Sequence, residues 1–89
     1  MKYFAAMLNM KDPEKNVQYR QQHVDFLTEN EKKGKIFARG RFTDGKGGLV
    51  IYIAESQAEA MKLAESDPYV VSGARFLELH EWDMKVASK

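Results

Sequence analysis

The sequence predicts an α+β fold, one antiparallel sheet with two helices in the order β-α-β-β-α-β. Three observations carry that expectation. Four runs rich in Val, Ile, Leu, Phe and Tyr are separated by polar turn signals, as strands are. Two segments with helical apolar spacing and capping residues lie between the first and second runs and between the third and fourth. Two of the runs are apolar without alternation, which says something about what surrounds the sheet.

The first run, Tyr3 to Leu8, is apolar at six consecutive positions and stops at Lys-Asp-Pro. Asp12 suits a helix N-cap and Pro13 the first helical turn. The stretch "PEKNVQYRQQHVDFLTENEKKG" then reads as one long helix. Val17, Val24 and Leu27 form a stripe on it, with Tyr19, His23 and Phe26 alongside. Lys32, Lys33 and Gly34 fit its C-terminus. "KIFARGRF" reads as the second strand, "TDGKGG" as a hairpin turn and "LVIYIA" as the returning strand. Ser56 and Glu59 have capping-box spacing and open a second helix that runs to about Glu65. After "DPYVVSG", the stretch "RFLELHEWD" is the last strand. This order is the split β-α-β pattern of a ferredoxin-like domain.

In such a sheet the first and third strands are central. Those are the two with continuous apolar runs, Tyr3–Leu8 and Leu49–Ile53. A sheet with helices on one face and water on the other should alternate, so the second face is expected to be covered as well. Nothing else in the chain is left to cover it, and a second copy packed sheet to sheet is the expected cover. Size argues the same way. A single domain of 89 residues buries roughly 60–65% of its unfolded surface. With no cysteine, neither a disulfide nor a thiolate metal site adds stability.

Fourteen basic and 13 acidic residues leave a net charge of +1, which gives no reason to expect nucleic acid or an anionic membrane as partner. The uncharged run Tyr3–Met10 is too short to span a bilayer and a poor match to a signal peptide, so a cytoplasmic location is expected.

Two histidines are present, His23 and His80. His23 lies mid-helix beside the apolar stripe with Arg20 one turn before it, either a packed, hydrogen-bonded side chain or a general base. His80 alternates with Glu78 and Trp82 on the last strand, as a sheet-surface or dimer-contact residue does. Asp67 followed by Pro68 reads as the N-cap of a short helix, with Gly73 as its stop. A cap does not account for Tyr69, which adds a hydroxyl and a ring at the same joint. "DGKGG" lacks the Lys-Ser/Thr ending of a phosphate loop and leads into a strand, so it reads as a turn. No histidine pair or His/carboxylate spacing suggests a metal, and Ser56 and Ser66 have no visible base.

The ordered set "RQQH" (Arg20 to His23), "ARG" (Ala38 to Gly40), the "DGKGG" hairpin and the "DPYVVSG" joint resembles the YciI-like (YCII-related) family of the dimeric α+β barrel superfamily. The resemblance implies ferredoxin-like dimers whose sheets pack into a shared barrel, with a histidine–aspartate pair in a cleft. Superfamily relatives include muconolactone isomerases, dehydrochlorinases and cofactor-free monooxygenases. By matching position, His23 becomes the candidate acid/base and Asp67 its orienting or proton-holding partner. Arg20 becomes an anion-binding or charge-stabilising group and Tyr69 a wall or donor. The family often has Gly-Pro at the end of the second strand; here Gly40-Arg41 stands there, which puts a further cation near the cleft. The function so implied is acid/base chemistry without a cofactor on a small organic acid: isomerisation, elimination or a lactone-type reaction. The alternative is a dimeric module that binds a small molecule without turning it over.

Overall fold

In the computed structural model, which describes residues 1–87, the chain opens with β1 (Lys2–Met10). Asp12 then turns it into a helix: Oδ1 accepts from the Glu14 and Lys15 backbone N–H groups, at 3.1 and 3.2 Å, and Pro13 fills the first helical position. The expected single long helix is in fact two. α1 (Pro13–Gln18) ends at Tyr19, whose backbone (φ −102°, ψ 7°) leaves helical geometry, and α2 (Arg20–Lys32) begins directly after it. The break also corrects the apolar stripe. Val17 stands before it and is 77% exposed, whereas Leu27, after it, is buried.

Past Gly34 (φ 73°) the chain continues through β2 (Ile36–Arg41), β3 (Gly47–Ala54), α3 (Gln57–Glu65), α4 (Pro68–Val71) and β4 (Arg75–Trp82). Ser56 Oγ accepts from the Glu59 N–H at 3.2 Å, one half of the expected capping box. All neighbouring strands pair antiparallel, in the order β2-β3-β1-β4, so β1 and β3 are central as expected. β3 starts two residues earlier than expected, because Gly47 and Gly48 already pair with Asn9 and Leu8.

One face of the sheet carries the core. Phe4, Ala6 and Leu8 of β1 and Val50, Tyr52 and Ala54 of β3 meet Leu27 of α2 and Ala60 and Ala64 of α3. Alanines one turn apart let α3 lie close against the strands. Each fully buried large side chain here, such as Phe4 or Leu8, contributes roughly 1.5–3 kcal/mol relative to its exposed state. The residues between them point to the other face, which is apolar too: Tyr3, Ala5 and Met7 on β1, and Leu49, Ile51 and Ile53 on β3. No helix among the described residues is long and apolar enough to cross a membrane.

Candidate functional site

α2 and α4 meet where His23 faces Asp67. Asp67 has extended backbone geometry (φ −62°, ψ 127°), caps α4, and is fully buried. Its Oδ1 accepts from the Tyr69 backbone N–H at 2.9 Å, which is the expected cap. The same carboxylate also meets His23 Nδ1, at 2.8 Å from Oδ1 and 2.9 Å from Oδ2. The side chain is therefore both a cap and the partner of the histidine.

A carboxylate can only accept, so the proton of this contact sits on Nδ1 and the lone pair of neutral His23 is on Nε2. Nε2 has no hydrogen-bond partner among the described residues, yet no polar side-chain atom there is both sealed from solvent and unpaired. Nε2 therefore opens onto accessible space, and His23 lines a cavity.

Tyr69, the residue that a cap did not explain, lies flat against His23, with ring centroids 3.9 Å apart and planes 16° from parallel. On this residue also bears Arg75, whose guanidinium carbon is 4.3 Å from the phenol ring's centroid. Burial pushes the Tyr69 phenol above its ordinary pKa; Arg75 and Arg20 pull it partly back and Asp67 adds to the rise. The hydroxyl accordingly stays protonated at neutral pH and is available as a donor. Behind the pair, burial and then the charge of Asp67 drive the Tyr52 phenol far above the usual tyrosine range.

The cavity measures about 390 Å³ and lies between α2, the β2–β3 hairpin and the start of β4. Four of the residues singled out in the sequence line it together: Arg20, His23, Arg41 and Tyr69. Asp67 is not on the wall but directly behind His23. Arg39 and Arg75 bring the arginines on the wall to four, and no Asp or Glu is among the lining residues. Arg39 is already paired, with Glu31 Oε1 and Oε2 at 3.2 and 3.3 Å. Gly40, Gly47 and Gly48 leave part of the wall as bare backbone. His80 lies elsewhere, on the opposite face of the sheet, paired with Glu78 at 2.7 Å. Among the described residues no three His, Cys, Asp or Glu side chains converge as a metal site.

Sequence reasoning missed Arg75 and Asn16. Asn16 Oδ1 accepts from Arg75 Nε at 2.8 Å across 59 residues of chain. Nothing local marks either residue; the only available signal was that Arg75 interrupts the apolar start of the last strand.

Comparison with known proteins agrees with this architecture. The family model for the YCII-related domain matches residues 1–83. The uncharacterized protein YjpA of Bacillus subtilis is 35% identical over 85 residues, covering 93% of this chain and 98% of the relative. Among solved structures, 5-chloro-2-hydroxyhydroquinone dehydrochlorinase from Burkholderia phenoliruptrix, in complex with 2,5-dihydroxybenzoquinone, superposes with a TM-score of 0.78. It is 20% identical, and the match covers 93% of this chain and 95% of that one. This likeness establishes the shared ferredoxin-like α+β fold. The chain belongs to the YCII-related domain family.

Proposed function

We propose that this YCII-related protein performs acid/base chemistry on a small organic anion, with His23 as the base and Asp67 as the group that orients it. The observation that carries the reading is the buried Asp67 carboxylate on Nδ1 of a histidine whose Nε2 opens into a cavity walled by arginines. In the proposed step, Nε2 takes a proton from a carbon next to a carbonyl. The electron pair of that C–H bond moves onto the carbonyl oxygen, giving an enolate. Imidazolium formed in this way stands against the Asp67 carboxylate, and Arg20 or Arg41 offers the cation that the enolate oxygen requires. Return of the proton to a different carbon completes an isomerisation. Loss of a leaving group from the neighbouring carbon, with its bonding electrons, completes an elimination.

Tyr69 holds the imidazole plane by stacking and keeps water from one of its faces. The dehydrochlorinase with the same fold supports an elimination on a hydroxylated ring as the first reaction to try. Two assays test the proposal. One follows chloride release from 5-chloro-2-hydroxyhydroquinone. The other follows exchange of carbon-bound hydrogen for deuterium in a panel of small keto acids and lactones, by proton NMR. Wild type should catalyse exchange or elimination of at least one compound, and His23→Ala should lose on the order of 10²–10⁴-fold of that rate. A ligand that binds beside His23 and is never turned over would instead support the binding-module reading. Turnover that survives His23→Ala would remove the proposed base.

A further inference from the structure

We infer that Arg75 forms an anion subsite at the β4 end of the cavity, and that the pocket thereby selects dianionic small molecules, such as dicarboxylates, over monoanions. The inference rests on the acid/base reading of the same cavity and names its substrate class.

Arg75 opens the edge strand β4, opposite Met10 of β1. Its side chain reaches across β1 to β3, where a Cβ built on Gly48 would stand 3.2 Å from Nη1. The last glycine of "DGKGG" thus keeps a lane open for the guanidinium. Asn16 Oδ1 holds Nε at 2.8 Å, and the Tyr69 ring supports the head group from one side. All three supports are neutral. Neither Nη group has an acceptor among the described residues. Arg39, in the same wall, shows the contrast, since Glu31 already neutralises it.

Arg75 is half-buried, and that burial lowers its pKa by more than Tyr69 and the buried Asp67 charge raise it, so its charge is poorly solvated where it stands. A partly desolvated cation fixed by an amide, a ring and bare backbone has donors aimed at an anion that the protein does not supply. Arg20 and Arg41 on the same wall form no ion pair with a described residue either, and no lining carboxylate offsets them. One anionic group satisfies one arginine fork. A second anionic group on the bound molecule would sit at Arg75, leaving the first, with its adjacent C–H, beside His23.

Calorimetric titration of the full chain with maleate and with its monomethyl ester, at mildly alkaline pH, tests this. The two probes share a skeleton and differ by one charge. Wild type should bind maleate at least roughly tenfold more tightly, the scale of one charge-assisted fork. Arg75→Met should abolish that preference. Asn16→Asp should as well, because it sets a near-isosteric carboxylate against Arg75 Nε; it decides alone if Arg75→Met does not fold. Equal affinities in wild type, no measurable binding of maleate, or a preference unchanged in Asn16→Asp would each overturn the inference. His23→Ala should keep the preference. If it does, and His23 also proves dispensable for exchange, the subsite stands and the acid/base reading fails. Lost exchange in His23→Ala without any dianion preference gives the converse.

Discussion

Oδ1 of Asp67 accepts from two donors that make different demands, the Tyr69 backbone N–H and His23 Nδ1–H. The first needs only one oxygen, whereas Nδ1 lies within 2.9 Å of both carboxylate oxygens, so an NH2 in place of either would set donor against donor. Asp67→Asn separates them. The asparagine oxygen still caps α4, so stability should stay within about 1 kcal/mol of wild type, while Asp67→Ala loses the cap at a cost of about 0.5–2 kcal/mol. The asparagine NH2 then faces Nδ1, which accepts only when unprotonated, so the proton of neutral His23 moves to Nε2 and the lone pair leaves the cavity. Nitrogen-15 shifts of the imidazole should report that exchange of tautomers, and turnover should fall on the order of 10²–10⁴-fold. An unchanged tautomer would show that Asp67 acts as a cap alone. His23 and Asp67 were legible in the sequence as separate candidates because each sits on a local signal, a helix and an Asp-Pro joint. Their contact was not, since it joins residues 44 apart. Arg75 and Asn16 were illegible for the same reason; Asn16 had no local signal, and Arg75 only its place at the head of an apolar strand.

The elements were legible where chemistry at one or two positions fixes them. Asp12-Pro13, Ser56 and Asp67-Pro68 each start a helix where they were expected to. The failures come where the backbone departs from a regular period. Tyr19 breaks the first helix without a Gly or Pro to announce it, and Val17 therefore never shares a face with Leu27. The pattern of "DGKGG" predicts a turn throughout, but its last two glycines are strand, and they differ from Gly45 in what surrounds them. Gly45 (φ 77°) has nothing within 4 Å of where a Cβ would be, so Gly45→Ala should cost only its left-handed conformation, about 1–2 kcal/mol. Gly47 (φ 140°) would place its Cβ 2.1 Å from the Leu8 carbonyl oxygen, inside the β1–β3 ladder. Gly47→Ala should therefore cost on the order of 4 kcal/mol or more, or prevent folding. Thermal melts of the two variants side by side check this; equal, small losses would mean that the ladder yields and the close approach is not a constraint.

For the whole molecule, the second face of the sheet stands out by its apolar surface. Tyr3, Ala5 and Met7 in β1 and Leu49 and Ile53 in β3 are only partly covered, and Ile51 between them is buried. Phe37, Phe76 and Trp82, on the edge strands, are 48%, 55% and 44% exposed. A face this apolar, with the Glu78–His80 pair of β4 at its margin, has the composition of an interface: an aromatic and aliphatic centre with a charged margin. A second copy of this chain is the proposed occupant, since the face is self-complementary in chemistry and a chain of 89 residues has little core to spare. A stable pair buries about 1,200 Å² or more in total, which asks for roughly a tenth of this protomer's 5919 Å² surface. One sheet face is of that order. Light scattering at micromolar concentration should therefore give twice the chain mass. Met7→Glu, in the middle of the central strand and pointing away from the core, should shift the protein to monomer and lower its melting temperature, because the face then meets water instead of its twin. A monodisperse wild-type monomer would leave the apolar face without its proposed cover, whatever the variant did.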